Sequence, residues 1–188
     1  MNPINEMIER ISFSEEIQGL IQAVAEGDIE MVKELLDCGV NINSPGNRGW
    51  TALRIGACLG NYPMVKLLLD NGAAVDACNL TGHTALMMAT SYGFLPIVKL
   101  LLEYGADPNA CNINSSTALM IASFHGFADI VAELLQKGAN PGITSKQGKT
   151  AFTLASEAGH DECVAVLLKT GADDVKLTQT GFKEAIAY

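Results

Sequence analysis

Three ladders of glycine and threonine run through this chain at one period. Gly27, Gly60, Gly93, Gly126 and Gly159 lie 33 residues apart at every step, and so do Gly39, Gly72, Gly105, Gly138 and Gly171. Thr51, Thr84, Thr117 and Thr150 keep the same step. This repetition constrains the fold more than any bulk property. It describes a row of equal units, each unable to bury its apolar face alone and each needing its neighbours.

The unit between the marks is legible. Each Thr opens a short segment: TALRIGACLG, TALMMATSYG, TALMIASFHG, TAFTLASEAG. Thr is a good helix N-cap, and the closing Gly tolerates the left-handed conformation that ends a helix. Leu53 with Ile55, Leu86 with Met88 and Leu119 with Ile121 recur at one spacing, which predicts short helices with one small, closely packed face. A second segment follows: PMVKLLLDNG, PIVKLLLEYG, DIVAELLQKG, ECVAVLLKTG. Pro63 and Pro96 suit a first helical turn, where a missing N–H costs nothing. Asp129 and Glu162 take the same slot and favour the positive end of the helix dipole. Ile97, Val98, Leu100, Leu101 and Leu102 recur at helical spacing.

These units resemble ankyrin repeats. The segments GNYPMVKLLLDNGAAVDACNLTGHTALMMA and GFLPIVKLLLEYGADPNACN carry the resemblance, which spans residues 17–188. It implies an all-α fold, a curved solenoid of stacked helix pairs with β-hairpin loops. Residues 15–171 then form five repeats, with helix pairs near 15–38, 51–71, 84–104, 117–137 and 150–170. Residues 172–188 open a sixth unit, either a half-repeat cap or the start of a longer array. Residues 1–14 are expected to form a capping helix and linker: Ile4, Met7, Ile8 and Ile11 fall on one helical face, and Ser12-Phe13-Ser14-Glu15 fits a capping box for the next helix.

The chain departs from the family pattern in places. The family's Thr-Pro-Leu-His carries Arg54, Met87, Met120 and Thr153 at its last position, so apolar packing must replace the histidine hydrogen bonds between repeats, or they are lost. The loop Asp becomes Gly46, Asn79, Asn112 or Ser145. Gly49, Gly82 and Gly148 mark the hairpin turn, but Ser115 stands in the third, which predicts a distorted or more mobile hairpin there.

Composition excludes several classes. Apolar residues are 48% and charged residues 18% of the chain, which is not a disordered composition. Net charge is −9, and residues 1–37 are the most acidic part. No basic face suited to nucleic acid is evident. Cys38, Cys58, Cys78, Cys111 and Cys163 are odd in number and contain no CxxC pair, so neither a disulfide framework nor a metal site is expected. That pattern points to a reducing, cytoplasmic setting. MNPINEMIER has no apolar core of a leader peptide, and no membrane span is expected.

Other motifs have simpler readings. Residues 142–150, GITSKQGKT, nearly form a phosphate loop, but five residues separate the glycines where four are required. Cys78 and Cys111 occupy one slot of successive repeats, too far apart for a disulfide. His83, His125 and His160 belong to no cluster of metal spacing. Two glycosylation acceptors, at Asn79 and Asn114, are read as incidental. No catalytic residue, cofactor or metal is expected.

The resemblance implies binding of another protein on the concave side, through hairpin tips and the exposed face of each first helix. By family register the expected partner-binding residues are Arg48, Trp50, Leu59, Leu80, His83, Tyr92, Ile113, Asn114, Phe124 and His125. The aromatics among them are not demanded by repeat packing, and aromatic and Arg residues are enriched at interface hot spots. The expected partner is a protein or peptide segment with apolar anchors, bound by a monomer, and Trp50→Ala should cost at least about 2 kcal/mol of binding. The alternative is a targeting or scaffolding domain of a larger protein. The Thr-Ala-Leu-Met form is similar to microbial ankyrin repeats, which would make the chain an effector acting in a host cytosol.

Overall fold

A computed structural model of the chain describes residues 15–46 and 49–169. Among these residues there are ten helices and no strand. They pair as α1 (Glu15–Glu26) with α2 (Ile29–Asp37), α3 (Ala52–Cys58) with α4 (Tyr62–Asp70), and α5 (Ala85–Ser91) with α6 (Leu95–Glu103). Then come α7 (Ala118–His125) with α8 (Ala128–Gln136), and α9 (Ala151–Ala158) with α10 (Asp161–Lys169). The expected cap helix in residues 1–14, with its capping box, and the partial repeat at 172–188 lie outside the described residues.

Each first helix starts where the sequence predicts. The hydroxyls of Thr51, Thr84, Thr117 and Thr150 accept the backbone N–H three residues on, at 3.4, 3.3, 3.3 and 3.2 Å. Thr153 answers Thr150 with a reciprocal bond to its N–H, completing a capping box. Pro63 and Pro96 sit in the first turns of α4 and α6. Where Pro is absent, Asp129 is in the first turn of α8 and accepts from the Ile130 N–H at 2.8 Å.

The two helices of a pair bury different kinds of residue. The first helices bring Ala52, Ala85, Ala118 and Ala151 to 1% exposure or less. The second helices bury Leu68, Leu101, Leu134 and Leu167 completely. Small side chains let backbones approach, so neighbouring first helices pack more closely than most neighbouring second helices do. The odd-numbered helices contact one another from repeat to repeat and form one layer of the stack, and the hairpins precede them in the chain. The leucine ladder is the continuous core, and each fully buried Leu contributes roughly 2 kcal/mol.

A second ladder locks repeat to repeat. Phe94, Phe127 and His160 each follow a helix-ending Gly and lay their rings on the equivalent Gly of the preceding repeat. A Cβ on Gly60 would stand 2.7 Å from Phe94 Cζ. With φ +71° as well, no other residue fits there without strain. His160 adds a hydrogen bond from Nε2 to the Phe124 carbonyl oxygen at 3.0 Å. The two phenylalanines replace that bond with apolar contact.

The loops are tight hairpin turns whose legs are too short to be strands. Asn79 N donates to His83 O and Gly82 N to Asn79 O. The same pair of bonds closes residues 46–50, 112–116 and 145–149. Asn79 and Asn112 do the work of the missing loop Asp. Asn79 Oδ1 accepts from the Thr81 and His83 N–H groups, and Asn112 Oδ1 from those of Asn114 and Ser116. The hairpin at Ser115 keeps the closure of the others rather than distorting, because Ser115 itself adopts φ +57°.

Candidate interaction groove

Among the described residues, the four most exposed large apolar side chains lie in two neighbouring repeats. Leu80 is 80% exposed, Ile113 53%, and Tyr92 and Phe124 55% each. Leu80 and Ile113 are equivalent hairpin positions, while Tyr92 is the C-cap of α5 and Phe124 lies in the last turn of α7. All four belong to the third and fourth repeats. The remaining exposed ones, Met31, Tyr62, Tyr104 and Leu168, are less exposed and lie on or at the ends of second helices. Tyr104 is also engaged, donating its hydroxyl to Asp70.

Between the hairpins and the first helices lies a cavity of about 310 Å³. His83, Asn112 and Ser116 form its hairpin side, and Ser91, Phe124 and His125 its helix side. Met120, Ile121 and Leu154 complete its wall. Much of its polar lining is already satisfied within the fold. Ser91 Oγ donates to Met87 O at 2.8 Å. Asn112 Nδ2 donates to His83 Nε2 at 3.2 Å, leaving Nδ1 to carry the proton and donate to Thr81 Oγ1 at 2.9 Å. His83 therefore joins two successive hairpins as a neutral imidazole. Burial, with the Arg54 charge as a lesser cause, holds its pKa below the usual value.

The structure brings part of the expected set together. His83, Phe124 and His125 line the cavity. Phe124 meets His125 edge-on at 5.2 Å, and His125 stacks on Phe127 at 5.6 Å. Tyr92 stacks on Phe94 at 6.0 Å, and its hydroxyl is hydrogen-bonded to the Cys58 thiol, which raises the Tyr92 pKa. Leu80, Ile113 and Asn114 occupy the exposed tips, where Asn114 O accepts from Lys146 N at 3.0 Å. Leu59 and Trp50 are half-buried and packed on the core. Arg48 lies outside the described residues.

Trp50 has a structural task beneath it. Its ring covers the Arg54 guanidinium at 4.2 Å, and Arg54 is fully buried. Arg54 Nη1 donates to Gly49 O at 3.0 Å, while Nε and Nη2 have no partner among the described residues. Burial is the main cause that pushes the Arg54 pKa down to about 10. This buried cation was not legible in the sequence. Nor were Ile121 and Leu154, because Ile55 in the same slot of the second repeat is buried.

Stacked helix pairs joined by hairpin turns define a helical-repeat solenoid. The family model described as ankyrin repeats (3 copies) matches residues 20–112 and 107–178, and the chain belongs to the ankyrin-repeat family. Members of this family are generally protein–protein interaction modules, built on a non-catalytic fold. No curated protein matches the chain. Among the described residues no helix is long and apolar enough to cross a membrane, and no group of three His, Cys, Asp or Glu is placed to hold a metal ion.

Proposed function

We propose that this protein binds a partner protein in the concave groove, with Leu80, Tyr92, Ile113 and Phe124 as its apolar contacts. The observation that carries this reading is that, among the described residues, the four most exposed large apolar side chains all belong to the third and fourth repeats, with Phe124 lining the cavity. Large apolar side chains left exposed in neighbouring repeats mark an interaction site more often than singly scattered ones do. The protein acts as a monomeric module that holds its partner by one face.

Tyr92 and Phe124 are better probes than Trp50, whose removal would also uncover the Arg54 charge. The test is capture of partners by the wild type beside a Tyr92→Ala/Phe124→Ala variant, after circular dichroism shows equal helicity. Loss of a bound protein from the variant alone supports the groove. Equal capture by both sinks it.

A further inference from the structure

Trp50, His83, Ser116 and Lys149 hold one position of four successive repeats, each just before the helix-capping Thr. Their backbones are equivalent as well, because the carbonyl oxygen of each closes its own hairpin. Their side chains part ways. Trp50 lays its ring over Arg54 at 4.2 Å and packs on the core. His83 is tied to the next hairpin through Asn112, and Lys149 reaches Glu157. Ser116 has the shortest side chain of the four and lines the cavity. Met120, which stands where Arg54 stands under Trp50, lines it too.

The rest of the lining defines what fits there. No Asp, Glu, Lys or Arg lines the cavity, so a charged side chain entering it would lose water and gain no counter-charge. His83, Asn112 and Ser91 hydrogen-bond within the fold. Met120, Ile121, Phe124 and Leu154 supply the apolar wall. A thioether attracts an aromatic ring, and a second ring packs well on Phe124 by its edge or an offset face. A volume of about 310 Å³ is at the lower end for binding pockets and suits one ring.

We propose, resting on the groove reading above, that the partner inserts one uncharged aromatic side chain beside Ser116. The ring takes the place that the chain fills with its own Trp50 two repeats earlier. The second repeat is therefore closed to such a ring and the fourth is open to it. Ser116 sets the position at which the partner is read, by being small.

The test is selection of a random heptapeptide display library on the full chain, with affinities of the synthesised winners measured on variants. The winners are expected to share a Phe, Tyr or Trp whose replacement by Ala costs about tenfold in affinity. Ser116→Trp, which repeats the second repeat, should also cost about tenfold or more, with helicity retained by circular dichroism. If that variant folds poorly, Ser116→His, which repeats the third repeat, should weaken the same winners by about threefold or more. Winners with Leu or Ile in place of the ring, or winners bound equally by a folded Ser116 variant, overturn the ring pocket. If such winners still weaken on Tyr92→Ala/Phe124→Ala, the groove stands without the pocket. If they are indifferent to that change, the groove falls as well. Failure to select any peptide overturns the proposal.

Discussion

Arg54 stands where Met87 and Met120 stand in the next two repeats, and those methionines are almost fully buried. The slot is apolar, yet it holds a cation whose Nε and Nη2 have no partner among the described residues. Replacing a poorly paired buried charge by a packed apolar residue is often stabilising. Arg54→Met should therefore raise stability by about 1–2 kcal/mol in urea unfolding. A loss of stability would mean that the Gly49 hydrogen bond and the Trp50 stack outweigh the desolvation. His83 supplies a pH prediction. Its folded pKa lies below its unfolded value, mainly through burial, so the neutral form is favoured in the fold. Its contribution is complete above about pH 6.5, the unfolded pKa, and is lost as pH falls from there toward the folded pKa. Melting curves at pH 7 and pH 5.5 should show a smaller drop for His83→Gln than for the wild type. The sequence placed both residues in the repeat register. It could not show that one is buried and the other joins two hairpins, because both facts depend on the neighbouring repeat.

Ser115 is the test of the hairpin as an element. Gly82, in the equivalent position, has φ +76°, and a Cβ there would stand 2.9 Å from Asn112 Cα. Ser115 takes φ +57° with its Cβ present. Left-handed backbone costs an L-residue about 1–2 kcal/mol, and Asn tolerates it better than Ser. Ser115→Asn should gain about 0.5 kcal/mol and Ser115→Val should lose more than 1 kcal/mol in chemical unfolding. Equal stability of the two would show that this turn relaxes out of the left-handed region. The helices of this protein were readable in advance because their signals are local: a Thr hydroxyl reaching three residues on, a Pro in a first turn, a Gly past the end. The Ser115 hairpin keeps its closure, against the expected distortion, for the opposite reason. Its closing bonds come from Asn112 and Ser116 and do not need Gly, only a residue that accepts positive φ.

The whole molecule adds what no single repeat contains. Tyr92 and Phe124 are each more than half exposed, so the double variant that tests binding should stay within about 1 kcal/mol of wild-type stability. A larger loss, read from its melting curve, would mean that these rings hold the stack and are not free for a partner. The sequence by itself determined the period, the alternation of small-residue and leucine-rich helices, and the family to which the chain belongs. Those follow from spacing along the chain, since caps, turns and helical faces act over a few residues. The tertiary structure alone decided that Trp50 covers a buried Arg54, and that Phe94 and Phe127 cap glycines of the preceding repeat. It alone decided that Ile121 and Leu154 line a cavity while Ile55 in the same slot is buried. Equivalent positions in sequence become unequal in space because each repeat meets a different neighbour on either side.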